Sequence, residues 1–285
     1  SRRSRSEAPF SASEGEGAAL NEGSVLAGAS SGLGAVLAEA FADQGANLAL
    51  FSRSEDRLEE IGARCRERGA RCLGVAGDVA RAEDCKRLVD RTVSEYGGVD
   101  YLVANAGVGM WARFEEVEDL EIFRKLMDTN YLGVVHSVFY ALPHLKKSKG
   151  MIVAISSIQG KIGVPLHTGY GASKHAVQGF LASLRTELDG SGVEILTVLP
   201  HWLRGTNMRS NAFGKDGGLL GPDSKRHSKE SISLEACSHA VITAVEKRKR
   251  ELVIPFKLQL LLWLNLIHPG IVEWLVKRKV EIQEK

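Results

Sequence analysis

Tyr170 and Lys174 stand four residues apart in "YGASK" (170–174), and on a helix such a pair shares one face. An ammonium beside a phenol lowers the phenol's pKa, and a phenol so tuned passes a proton to or from a carbonyl oxygen near neutral pH. "SS" at 156–157 follows the apolar run "MIVAI", and either hydroxyl could hydrogen-bond the same oxygen. Taken singly these pieces are ordinary. A Tyr–Lys pair suits any solvated helix, and paired serines suit any turn. Together they describe proton transfer at a carbonyl oxygen.

A second cluster could hold a phosphate. "VLAGASSGLG" puts Gly28, Gly32 and Gly34 between an apolar run and a helical pattern, with Ser30 and Ser31 inside the turn and Leu33 between the last two glycines. Glycines there permit a tight turn, and the amides at the following helix start face negative charge. The spacing is GxxxGxG, not GxGxxG. At the end of the next apolar run, "NLALFSR", Ser52 sits where an NAD site carries a carboxylate, and Arg53 stands beside it. An arginine can clasp a 2′-phosphate bidentately, so NADP(H) is the expected cofactor.

These residues fall at the ends of an alternating pattern. Strands are predicted at 24–30 (running into the turn), 47–53, 71–79, 99–107, 150–157 and 192–200. Helices are predicted over 34–44, to about Arg68, over 82–96, from Val117 to Leu142 and over 170–187. The strands read as continuous apolar runs, as a parallel sheet covered on both faces requires. The pattern predicts one doubly wound, Rossmann-like α/β domain. Composition agrees: 285 residues, 44% hydrophobic and 25% charged. A net charge of +2 offers no field for nucleic acid. Cys65, Cys72, Cys85 and Cys237 form no CxxC and no zinc-ligand spacing, so no metal site is expected and reduced thiols in an intracellular compartment are.

From about Ser24 to Arg250 the chain resembles the short-chain dehydrogenase/reductase family. "AGASSGLG" (27–34) is similar to its TGxxxGxG motif, with Ala27 at the usual threonine; "ANAG" (104–107) is similar to NNAG, and "YGASK" to YxxxK. The resemblance implies a mostly parallel seven-stranded sheet flanked by helices, with "ELVIP" (251–255) as the seventh strand. It implies a substrate-orienting role for Ser157, thirteen residues before Tyr170, and a proton-relay role for Asn130 in "MDTNYLG". Asp78 and Val79 would meet the adenine, and Asn105 would brace the sheet beside the adenosine. Tyr170 would act as general acid or base, while Lys174 clasps the nicotinamide ribose and depresses the phenol's pKa. The implied activity is NADP(H)-dependent interconversion of a ketone and a secondary alcohol, in a homodimer or homotetramer. A catalytically idle dinucleotide-binding scaffold is the rival.

One departure concerns the nicotinamide side. "LPHWLRGT" places His201 at the family's glycine and Thr206 one position late. The polar, glycine-rich stretch 203–231 is too long for a routine connection and is expected to form a lid over the site. Val108, Met110, Trp111, Phe114, Ile158, Ile162, Val164, Leu166 and Trp202 are expected to line the substrate pocket. That composition suits a steroid, retinoid, fatty-acyl or sphingoid carbonyl, with small xenobiotic carbonyls as the alternative. Residues 1–23 read as a loose tail and 24–256 as the catalytic domain. Residues 257–285, "KLQLLLWLNLIHPGIVEWLVKRKVEIQEK", read as a helix broken at Pro269-Gly270 and a short second helix. Trp263, Trp274 and the flanking lysines suit monotopic membrane contact, and a subunit interface or a substrate cover would use the same surface. The expected location is the cytoplasm or the cytoplasmic face of a membrane, that of the endoplasmic reticulum in a eukaryote.

Overall fold

Apolar runs such as "MIVAI" and "EILTVLP" have no polar face to turn to water, so they must be covered on both sides. The computed structural model, which describes residues 23–224 and 231–284, shows how. The strands are β1 (Gly23–Ala27), β2 (Asn47–Ser52), β3 (Cys72–Ala76), β4 (Tyr101–Ala104), β5 (Met151–Ile155), β6 (Glu194–Pro200) and β7 (Glu251–Ile254). They form one seven-stranded sheet in the order β3-β2-β1-β4-β5-β6-β7. Every neighbouring pair is parallel. The doubly wound fold expected from the sequence is therefore present. The chain reverses its winding between β1 and β4, and a crevice opens at their carboxyl ends.

On one face lie α1 (Gly32–Asp43), α2 (Glu55–Arg66) and α7 (Leu234–Glu246); their apolar stripes meet Leu48, Leu50, Val153 and Val198. On the other lie α3 (Ala82–Tyr96), α5 (Gly133–Ser148) and α6 (Thr168–Glu187), against Ala49, Phe51, Leu102 and Ile152. Neighbouring strand residues thus feed opposite layers. Phe41 and Phe51, one in each layer, are fully buried, and each burial stabilises the fold by about 1.5–3 kcal/mol.

The structure departs from the sequence expectations at several boundaries. The helix expected from Val117 to Leu142 is a 3-10 turn at Phe114–Glu116 and then α4 (Glu121–Met127), which passes through a π-helical turn over Asp128–Leu132 into α5. The stretch 233–250, whose pattern reads as one helix with "KRKR" as its solvated end, is helical only to Glu246 as α7, and "KRKR" (247–250) forms an exposed turn into β7. The two C-terminal helices are α8 (Leu258–Ile267) and α9 (Pro269–Glu284), and the second is the longer. Proline is tolerated at the first helical position because no amide is needed there. Leu262 and Val272 pack against Ile158, Ile162, Leu199 and Val253. Among the described residues no helix is long and apolar enough to cross a membrane. The expected tail lies outside the described residues apart from Gly23, as do residues 225–230 of the expected lid.

Candidate active site

The turn after β1 is built on steric necessity. Gly28 has φ +75°, and a Cβ there would lie 2.8 Å from Ala106 Cα. A Cβ on Gly34 would lie 1.9 Å from the Gly28 carbonyl oxygen. That oxygen also accepts a 2.9 Å hydrogen bond from Asn105 Nδ2, which ties the turn to the end of β4. The result aims the start of α1 into the crevice. Ser31 caps no amide with its side chain, and the first turn of α1 carries no acidic residue. These amides therefore present uncompensated positive potential.

A cavity of about 850 Å³ begins at this turn and runs to the end of β5. Gly28, Ser30, Ser31, Gly32, Leu33, Arg53, Asp78, Val79 and Asn105 line one part of it. Ser157, Tyr170, Lys174, His201 and Thr206 line the other. Asp78 is the sole carboxylate among the described lining residues, and its Oδ1 already accepts from the Ala80 amide at 3.0 Å. Arg53 is exposed at the rim. A glycine cradle, free helix amides and a rim arginine fit the diphosphate and 2′-phosphate of a dinucleotide.

At the far end, α6 brings Tyr170 and Lys174 to the carboxyl end of β5. Ser157 and Tyr170 stand together on the cavity wall, and the serine hydroxyl acts to lower the phenol's pKa. Ser156 also borders the cavity, but its hydroxyl is engaged by Gln178 Nε2, from which it accepts at 3.1 Å. Alternation along the chain thus gives a physical basis for separating the two serines, of which the family spacing had pointed to Ser157. Lys174 Nζ donates to the Ile155 carbonyl at 3.0 Å and lies 5.8 Å from the Tyr170 ring centroid. Burial pulls the Lys174 pKa down to about 8. Burial also raises the Tyr170 pKa, opposed by the Ser157 hydroxyl. The expected lowering of the phenol by Lys174 is absent here, because the ammonium is bonded to the backbone and not to the hydroxyl.

Asn130 and Gly34 lie behind the cavity wall. Asn130 is fully buried in the π-helical turn. Its Nδ2 donates to the Val108 carbonyl and to Ser173 Oγ, each at 2.9 Å, while its Oδ1 accepts from the Val108 amide at 2.8 Å. One lone pair of Oδ1 is left for a further donor.

Of the expected substrate-side residues, Val108, Met110, Trp111, Ile158 and Trp202 line the cavity. Phe114 does not: it is 64% exposed, outside the wall. Ile162 and Val164 are turned to the cluster under α8 and α9. Leu166 is buried away from the cavity. No described residue of α8 or α9 lines it either; these helices pack in the cluster behind Ile158. The described part of 203–231 contributes directly to the cavity wall. Phe213 bonds Gly109 and Trp111 through its backbone at 3.0 and 2.9 Å, and Met208, Phe213 and Leu219 reach the cavity. The sequence reading missed these residues because a loop has no periodicity to announce which side chains turn inward. It also missed His167, which lines the same wall. Its place three residues before Tyr170 was the available signal.

A parallel doubly wound sheet, a glycine-turn dinucleotide cradle and a Tyr–Ser–Lys cluster at the strand ends define an NAD(P)-dependent oxidoreductase of the carbonyl–alcohol class. The chain belongs to the short chain dehydrogenase family, which residues 24–216 match. It is 33% identical over 255 residues to an 11-beta-hydroxysteroid dehydrogenase of Pinus massoniana, covering 88% of this chain and 71% of that protein. It is 34% identical over 252 residues to the 11-beta-hydroxysteroid dehydrogenase-like 4A of Arabidopsis thaliana, covering 87% and 81%. Among solved structures it is similar to an alcohol dehydrogenase from Thermococcus sibiricus complexed with 5-hydroxy-NADP. That match has a TM-score of 0.71 and 28% identity, over 82% of this chain and 95% of that one. A short chain dehydrogenase/reductase from Burkholderia phymatum in complex with NAD shares the fold, with a TM-score of 0.78 at 22% identity over 88% and 95% of the two chains.

Proposed function

We propose that the protein is an NADP(H)-dependent reductase of lipophilic ketones, working reversibly on the matching secondary alcohols. The observation that carries this reading is Ser157, Tyr170 and Lys174 brought together on one cavity wall, with Lys174 Nζ 5.8 Å from the Tyr170 ring centroid and largely apolar residues in front. The glycine turn of residues 28–34 would hold the diphosphate, Arg53 the 2′-phosphate, Asp78 and Val79 the adenine, and Thr206 the nicotinamide side. When bound, the dinucleotide supplies or accepts the hydride. Tyr170 gives its proton to the carbonyl oxygen in reduction and takes it back in oxidation. Ser157 holds that oxygen by a hydrogen bond. Lys174, anchored on the Ile155 carbonyl, has two remaining N–H donors for the ribose hydroxyls. Asn130 Oδ1 keeps a lone pair for the water that returns a proton to Tyr170.

The lipophilic preference rests on Val108, Met110, Trp111, Ile158, Trp202 and Phe213 around the cavity. The relatives named for 11-beta-hydroxysteroids favour a polycyclic substrate among the lipophilic classes. We assign the exposed faces of α8 and α9 to monotopic membrane contact, which would deliver such substrates from a bilayer.

NADPH consumption followed at 340 nm across a ketone panel tests the activity. Absence of both turnover and NADPH binding would overturn the reductase reading. Arg53→Ala should weaken NADPH about ten-fold or more, the loss of a charge-assisted pair, and leave NADH almost unchanged. An unaltered preference overturns the role given to Arg53.

A further inference from the structure

His167 does no work in the reaction described above, yet the structure goes to some length to place it. It precedes α6 at the position where a helix-capping side chain belongs, and it caps nothing. The residue before it, Leu166, has φ +68°, a left-handed backbone that a leucine adopts only at a cost of about 1 kcal/mol or more. The Leu166 carbonyl accepts from the Ala112 amide at 3.0 Å, which holds that conformation. The imidazole is 6% exposed and lines the cavity. Its ring centroid lies 4.7 Å from that of Trp111, 6.0 Å from Trp202 and 6.3 Å from Tyr170, all edge-on.

The chemistry of the ring follows from one contact. Nδ1 lies 2.8 Å from the Pro165 carbonyl oxygen, which can only accept, so Nδ1 carries the proton. Burial, with the Arg209 charge nearby, pulls the His167 pKa down to about 4, so the ring is neutral at physiological pH. Nε2 is then a bare lone pair, a pure acceptor. None of the described side chains donates to it, and the two tryptophans beside it are donors whose rings meet it edge-on. Around it stand the largely apolar side chains Trp111, Trp202, Met110 and Phe213, with the Arg209 guanidinium stacked on the Trp111 ring at 3.7 Å. A lone acceptor in such a wall selects for a donor on the ligand, because a ligand without one leaves the acceptor dry and unpaired.

We propose that His167 is a specificity-determining residue whose Nε2 accepts a hydrogen bond from a hydroxyl on the substrate, so that the preferred substrates are apolar hydroxyketones and the diols they yield. The inference rests on the reductase reading for the presence of the ketone, but it concerns a different part of the ligand. The ketone oxygen meets Tyr170 and Ser157; the second oxygen, as a donor, meets His167.

The test uses the NADP⁺-loaded protein and a positional series of hydroxylated bicyclic ketones, each paired with its methyl ether. The ether keeps the skeleton and the oxygen and loses only the donor. Calorimetric titration should find at least one position at which the hydroxyketone binds about ten-fold tighter than its ether. In His167→Phe that ratio should fall to about one, and in His167→Gln, whose amide oxygen can accept, part of it should return. The proposal is overturned if no position gives a ratio above about two in the wild type. It is equally overturned if His167→Phe keeps the wild-type ratio. Should His167→Phe fail to fold, the wild-type series and His167→Gln decide, an undiminished ratio in the glutamine variant supporting an acceptor at this position and its complete loss opposing one. Turnover is read separately with NADPH. A ten-fold binding ratio without turnover would remove the reductase reading and leave this one standing, and turnover without a ratio would do the reverse.

Discussion

Burial acts on Tyr170 and Lys174 in opposite senses, raising the phenol and lowering the ammonium to about 8. Both shifts favour neutral groups, as desolvation must. A phenol held protonated through neutral pH is prepared to give a proton, which is the role reduction asks of it. The kcat/KM for NADPH should therefore be flat below pH 8 and fall above it as Lys174 loses the charge that meets the ribose. A profile that rises through this range would contradict the assignment. Tyr170→Phe should lower turnover by about 10²–10⁴-fold while NADPH affinity, measured by fluorescence titration, stays within a few-fold. Stability carries the same signature. Between pH 8 and 10.5 the unfolded chain holds the Lys174 proton and the folded chain has released it, so stability rises with pH across that window. The full effect is about 3 kcal/mol. Urea midpoints in Lys174→Met should lack this rise, and an unchanged slope would show that the lysine is not buried as described.

Elements, not residues, decide how much of this was legible in advance. Tyr170 and Lys174 were readable because their relation is local, one helical turn on α6. The glycine turn was readable because strand, turn and helix follow one another directly. Ser157 was singled out from Ser156 only by its spacing from Tyr170 under the family resemblance; composition and local pattern gave no physical reason to prefer either hydroxyl. Asn130 was placed by resemblance, but the π-helical turn that buries it is a backbone choice without a sequence period of its own. The cavity wall from Met208 to Leu219 depends on a loop latched to Gly109 and Trp111, a long-range event. Packing at the element level also fixes which glycines can change. Gly34→Ala drives a Cβ into the Gly28 carbonyl, 1.9 Å away in rigid backbone, and should destabilise by about 1–3 kcal/mol with loss of NADPH binding. Gly179 is exposed inside α6, and a methyl group added there would meet nothing within 4 Å. Gly179→Ala should stabilise by about 0.5–1 kcal/mol. Thermal unfolding of the two variants checks both signs, and a stable Gly34→Ala would refute the close approach of α1 to β1.

At the scale of the molecule, one surface stands apart from an otherwise mixed exterior. Leu262 and Val272 turn inward. Leu260, Trp263, Leu266 and Ile267 of α8, with Ile271, Trp274 and Leu275 of α9, turn outward and are 40% to 82% exposed. Scattered apolar residues on a surface need no account, but a contiguous set on two adjoining helices does. Lys257, Lys277 and Arg278 are exposed at its margins, and Arg278 lies 5.5 Å over the Trp274 ring. On the proposed reading, the apolar residues with nearby cations and tryptophans would meet an anionic bilayer surface, despite the exposed carboxylate of Glu273 beside Trp274. Because the patch lies behind Ile158 and outside the cavity, its loss should spare the chemistry. Trp263→Glu with Leu266→Glu changes only exposed positions, so the fold and the turnover of a water-soluble ketone should persist. Each side chain loses about 1.5–3 kcal/mol of apolar burial, enough to lower the partition into phosphatidylcholine–phosphatidylserine vesicles by more than about ten-fold in a flotation assay. Wild-type binding should also weaken at high salt as the cations are screened. If the wild type fails to float and instead forms a concentration-dependent dimer that the double variant abolishes, the patch joins two copies of the chain and the membrane assignment falls.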